Sequence, residues 1–310
     1  MDDLIDQTQP KRGTQTGHAR RFVMFFDQKE GTSPVMRLLH RFPGVEILHH
    51  PPGRGWEPFD RHNCGPMPLG ALIECLDLVF YGASADKANR IYERTAKAPL
   101  AGYDTAATVG FKMRFEPPGD PRIPPGLGLL RRPIEARYRQ RFSRAMIDLL
   151  RRRQVVVLLA VRQNLMRWAL SKYHGDGTGR AGHIQFRLAG GELPREEIPR
   201  ITVDPVRLER VIADCEAIHE AKERLAQQLQ DAGVEVVPVR YEDFLRDQLA
   251  FFRRLMDRLD RRLTDEQISE VLDRGIALQR VHGDELSEFF VNADEIEARF
   301  GDRVRLWPGE

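Results

Sequence analysis

The chain has 310 residues, with Lys+Arg 48 against Asp+Glu 46 and a formal net charge of +2 at pH 7. That balance does not suggest a dedicated nucleic-acid binder. Three widely spaced cysteines, Cys64, Cys75 and Cys215, argue for a reducing compartment and against a disulfide framework.

No apolar run approaches the length of a membrane span, and residues 1–20 hold no apolar leader core. The expectation is a cytoplasmic protein with a flexible tail over 1–20 and a single α/β domain over 21–310. Basic clusters at Arg131–Arg132, Arg151–Arg153 and Arg253–Arg254 lie in polar helical stretches and read as solvated faces.

Residues 22–26 (FVMFF) form an apolar run of strand length. Residues 27–31 supply a tight turn that carries Lys29. Thr32 or Ser33 can cap the helix predicted over 34–42, and Pro34 suits its first position. Val35, Leu38, Leu39 and Phe42 recur on that helix at the spacing of one apolar face. A short strand follows over 45–48, then an irregular Pro- and Gly-rich stretch over 49–70. Helices are predicted over 71–80 and 85–95, and a strand over 108–115.

The prolines of 116–128 (EPPGDPRIPPGLG) impose a loop. A helix over 134–153 leads into VVVLLAV, 155–161, which reads as a strand covered on both faces. A helix over 164–174 precedes a long flexible segment, 175–199. The helix over 205–231 ends before Gly233. In the strand over 234–239, Pro238 marks an end or a sheet edge. Two or three helices follow to residue 300. This alternation predicts a three-layer α/β domain with a mostly parallel central sheet flanked by helices, whose ligands bind beyond the carboxyl ends of the strands.

Two segments carry chemistry. In the first, the strand, turn and helix over 22–42 aim backbone N–H groups and the positive helix end at one spot. Lys29 adds a charge there and Gly31 permits close approach, so the segment suits a phosphate or sulfate. It is not a Walker loop, because GxxxxGK[ST] is absent. In the second, Arg162 stands at the end of the VVVLLAV strand, and Asn164 can cap the next helix. Arg167 and Ser171, four apart, share one face of that helix. Two guanidiniums and a hydroxyl suit a phosphate dianion. Gly177-x-Gly179-x-x-Gly182 also fits GxGxxG, but it follows a predicted helix rather than a strand, so it does not read as a dinucleotide fingerprint.

Lys29-x-Gly31-Thr32-Ser33 resembles the 5′-phosphosulfate loop, K-x-G-[ST]-[ST], of the PAPS-dependent sulfotransferases. Arg162 to Ser171 (RQNLMRWALS) resembles the segment with which that family binds the 3′-phosphate, and is most similar to the bacterial trehalose sulfotransferase group. Val239 to Leu245 (VRYEDFL) and 281–300 resemble two further segments of these enzymes. The resemblance implies a P-loop-like fold and transfer of a sulfuryl group from PAPS to a hydroxyl of a small molecule, sugar or lipid. Lys29 would stabilise the leaving oxygens, and Gly31, Thr32 and Ser33 would hold the 5′-phosphate. Arg162, Arg167 and Ser171 would hold the 3′-phosphate, with either arginine as its main ligand.

No metal is expected, because the sulfuryl group carries less charge than a terminal phosphoryl and neither His62-x-Cys64 nor His49–His50 has a familiar ligand spacing. Family members that take the acceptor proton with a His after a Lys in the middle strand would place it where Arg114 stands. Other branches place a Glu after the second strand, which implies Glu57, while His50 in the same stretch has the convenient pKa. Gln28 and Glu30 depart from the family loop. The alternative readings are a P-loop-type small-molecule kinase and a non-catalytic nucleotide-binding protein.

Overall fold

The computed structural model describes residues 20–48, 57–59, 64, 67–81, 85–94, 108–115, 131–178, 197–274 and 285–301. Among these residues five strands form one sheet: β1 (Arg21–Phe25), β2 (Val45–Ile47), β3 (Thr108–Met113), β4 (Val156–Val161) and β5 (Val236–Arg240). Their order is β2-β3-β1-β4-β5, and every pairing is parallel. This is the expected three-layer, P-loop-like α/β architecture. β5 lies at an edge and contains Pro238, as the missing N–H of proline requires.

Side chains alternate across the sheet with the strand period of two. Val23, Phe25, Phe111, Val157 and Leu159 face one layer. It includes Leu72 and Leu76 of α2 (Leu69–Tyr81), Ile91 of α3 (Ala85–Tyr92) and Phe142 of α4 (Arg131–Arg152). Phe22, Met24, Val156 and Leu158 face the other, with Val35 and Leu39 of α1 (Thr32–Leu39). Gly110 on β3 lies opposite Phe22, and a Cβ there would come within 2.3 Å of the Phe22 ring. The absent side chain is what lets that ring lie flat on the sheet.

A third cluster joins α5 (Leu165–Thr178), α6 (Pro205–Asp231) and α10 (Ala293–Phe300) around Trp168, Tyr173, Cys215 and Phe290. Asn292 ties the last segment down: its side-chain amide accepts from Val203 N at 2.8 Å and donates to Val203 O at 2.9 Å.

Some boundaries differ from the sequence expectation. α1 starts at Thr32 rather than at Pro34 and stops at Leu39. α5 continues to Thr178, through glycines expected to open a loop. A Cβ on Gly177 would stand 2.9 Å from Ile201, so packing rather than propensity keeps that turn helical. After β5 there are four α-helices among the described residues, not two or three: α7 (Tyr241–Arg246), α8 (Gln248–Arg258), α9 (Asp265–Asp273) and α10. Extended Asp247 separates α7 from α8, and its side chain caps α8 by accepting from Ala250 N at 2.9 Å.

The chain leaves β1 towards β3 and β2, and leaves β4 towards β5 on the other side. The carboxyl ends of β1 and β4 are adjacent, and their connections diverge. That divergence opens a crevice where α/β sheets bind ligands.

Candidate anion site between the first and fourth strands

The turn after β1 begins the site. Lys29 and Gly31 both have positive φ, 66° and 75°, and Gly31 is the N-cap of α1. The expectation that Thr32 or Ser33 would cap this helix, with Pro34 first, is therefore corrected. Thr32 and Ser33 lie inside the first turn, and no side chain caps it. The N–H groups of a first helical turn have no partner within the helix, so this end is left to meet an anion. Tyr241 of α7 explains the glycine: a Cβ on Gly31 would fall 2.1 Å and 2.2 Å from carbons of its ring.

The turn is held at nearly every residue by distant elements. Trp168 Nε1 donates to Gln28 O at 2.8 Å, and Arg162 Nη1 donates to Lys29 O at 2.7 Å. Lys172 Nζ lies 3.6 Å from the Asp27 carboxylate. Glu30 is 3% exposed and folds back to accept from Asp27 N at 2.6 Å. Lys222 of α6 donates to Glu30 at 2.5 Å and to Ala160 O, on β4, at 2.8 Å. Glu30 thus has a partner built for it.

Burial pushes the Lys29 amine down to about 8, against the pull of Asp176, which favours the charged form. His174 on α5 is also lowered. Burial is the main cause, the Lys29 charge adds to it, and the hydrogen bond to Pro199 O at 2.9 Å opposes it.

The fourth strand contributes the other half. Arg162 is buried, its guanidinium carbon lies 5.0 Å from the centre of the Tyr241 ring, and its Nε has no partner among the described residues. Asn164 caps α5 as its position predicted, its side chain accepting from Arg167 N at 2.9 Å. Arg167 is buried in the first turn of α5, and Ser171, half-buried, follows one turn later. The turn between β4 and α5 is fixed by Glu242, whose carboxylate accepts from Gln163 N at 3.0 Å and Asn164 N at 3.1 Å. The VRYEDFL segment thus supplies both the ring that covers Gly31 and the acid that holds the second turn.

A third group joins from β3. Lys112, a charge within the buried strand TVGFKM, donates to Ser33 Oγ at 3.0 Å, and its Nζ lies 2.8 Å from Glu57 Oε1. Glu57 therefore stands one lysine away from the start of α1. His50, Gly179 and Gly182 lie outside the described residues, while Gly177 lies within α5, not at a strand-to-helix turn.

Site reasoning on the sequence did not assign Lys112, Lys222, Tyr241 or Glu242. Lys112 alone left a signal, since an ammonium inside an apolar strand needs a polar partner.

The result is a cluster at the carboxyl ends of β1 and β4: the Lys112 ammonium beside the open end of α1, the half-buried Lys29 in the turn before it, a buried guanidinium bonded to the same turn, and a carboxylate at its margin. It can bind an anion, stabilise charge on it, and accept a proton beside it. Comparison with family models, curated proteins and solved structures returns no match for this chain.

Proposed function

We propose that the protein is a sulfotransferase that moves a sulfuryl group from 3′-phosphoadenosine 5′-phosphosulfate to a hydroxyl of a small molecule, sugar or lipid. The observation that carries this reading is the direct bond between its two motifs: Arg162, past β4, donates to the carbonyl of Lys29, past β1, at 2.7 Å. One crevice therefore serves both resemblances. The donor set fits an adenosine ligand with phosphate at both ends, because among the described residues Arg162 Nε is buried without a partner and no side chain caps the first turn of α1.

In this reading, Lys29 and the N–H groups of Gly31, Thr32 and Ser33 hold the 5′-phosphosulfate. Arg162 already supports the Lys29 carbonyl. Arg167, with Ser171 on the same face of α5, is then the main ligand of the 3′-phosphate. Lys29 stabilises the oxygen from which the sulfuryl group departs, as preorganised donors do in phosphoryl transfer. Glu57 takes the proton of the acceptor hydroxyl as its oxygen bonds to sulfur. Lys112 orients Glu57 and Ser33.

Thermal shift with PAP, against ATP and NAD⁺ as comparisons, tests the ligand class. Turnover of labelled PAPS over a panel of hydroxyl acceptors tests the reaction. Lys29→Ala should lower turnover by about 10²–10³-fold while the protein stays folded. Stabilisation by ATP but not by PAP, or undiminished turnover in Lys29→Ala, would overturn the reading.

A further inference from the structure

An acid within an anion-binding turn works against its task. Glu30 lies between Lys29 and Gly31 and is almost wholly buried. Its carboxylate accepts from Asp27 N at 2.6 Å and from Lys222 at 2.5 Å, and Lys222 also donates to Ala160 O at 2.8 Å. One partner only accepts and the other only donates, which is the pattern of a carboxylate with an ammonium. Burial pushes the Glu30 carboxyl up and the Lys222 amine down, and the attraction of each for the other opposes both shifts. Buried ion pairs of this kind add little net stability over well-packed apolar residues. Stability alone does not account for the pair.

We propose that Glu30 and Lys222 are a positioning pair for anion binding. Glu30 ties the end of the turn to its beginning and, through Lys222, to α6 and β4. That tether fixes the shape in which Lys29 and the start of α1 face a phosphate or phosphosulfate. Lys222 also cancels a negative charge that would otherwise repel the ligand. The inference rests on the anion-binding reading of this turn and extends it to two residues that touch no substrate.

The two roles predict an asymmetry. Lys222→Met leaves Glu30 without its counter-charge, an uncompensated carboxylate beside the ligand at a pH high enough to keep it ionised. Glu30→Gln removes the repelling charge and part of the tether. The double variant removes both charges. Affinity for PAP and, separately, for inorganic pyrophosphate is measured by calorimetry on the full chain, with circular dichroism as the control for folding.

Lys222→Met should weaken both anions at least tenfold, the effect of one uncompensated charge as far as ~12 Å away at an effective dielectric constant of roughly 20. Glu30→Gln should weaken them less, and Glu30→Gln/Lys222→Met should recover most of the loss. Lys222→Arg, which keeps the charge, should stay within about threefold of wild type. Amide exchange over 27–33 should quicken in Lys222→Met more than elsewhere in the chain.

Equal losses in the two single variants, or a double variant that binds no better than Lys222→Met, would overturn the charge-cancelling role. If Lys222→Met does not fold, Lys222→Arg and Glu30→Gln decide: a loss in Lys222→Arg, which keeps the charge, that is well beyond about threefold and larger than that in Glu30→Gln overturns the charge-cancelling role. Wild-type protein that binds pyrophosphate but not PAP would sink the sulfotransferase reading and leave the pair to be judged on pyrophosphate. Binding of neither overturns both.

Discussion

Replacing Gly31 by alanine tests how the site is built. The residue has φ 75° and would place its new methyl 2.1 Å and 2.2 Å from carbons of the Tyr241 ring. Two costs add. Holding an L residue in the left-handed region costs about 1–2 kcal/mol, and forcing a methyl into a filled space costs about 1–3 kcal/mol. The sum, about 2–5 kcal/mol, should appear as a lower urea midpoint with an unchanged slope.

The two parts separate in a double-mutant cycle with Tyr241→Ala. Removing the ring relieves the overlap but not the backbone strain, so the double variant should be more stable than the sum of the singles by about 1–3 kcal/mol. Turnover and PAP affinity should fall in Gly31→Ala at denaturant-free conditions where the protein is fully folded, because the helix start must shift. A Gly31→Ala variant destabilised by less than about 1 kcal/mol, or a cycle with no favourable coupling, would refute the account of Gly31 as a cap chosen by Tyr241.

Other consequences concern charge and hydrogen bonding. Lys29 is lowered from 10.5 to about 8, so above about pH 8 the folded protein releases a proton that the unfolded chain still holds. Stability contributed through this lysine therefore rises with pH through that window, while affinity for PAP falls by up to about tenfold per pH unit. Titration calorimetry across it, with Lys29→Met as control, checks both the sign and the residue. Asp176 raises the Lys29 value, so Asp176→Asn should move the fall in affinity to lower pH.

Glu57→Gln should reduce turnover by about 10²–10⁴-fold if Glu57 is the base, with little change in PAP affinity. Undiminished turnover in steady-state assays would move that role elsewhere. Glu242→Ala strips two backbone N–H groups of their acceptor. It should destabilise the fold by about 2–3 kcal/mol in urea unfolding, and Glu242→Gln by less.

Much of the architecture was legible because it is written in short-range patterns. The apolar runs at 22–26 and 155–161 became β1 and β4, and Pro238 marked an edge strand. Asn164 proved to be the cap that its position suggested. The capping of α1 was misread for an equally physical reason. Thr32 and Ser33 are good caps by local preference, but Lys112 engages the Ser33 hydroxyl and Tyr241 fills the space that a side chain on Gly31 would need. Glycines at 175 and 177 read as loop, but both lie in α5, where Gly177 packs against Ile201.

The sequence by itself determined the strands, most of the helices and their order, because propensity and periodicity act over a few neighbouring residues. Only the tertiary structure decided how the site is held. Arg162 meets the Lys29 carbonyl across 133 residues of chain, Lys222 meets Glu30 across 192, and Lys112 meets Ser33 across 79. Such pairs depend on which strands lie side by side and on charges that must find partners once water is excluded, and no local pattern encodes either.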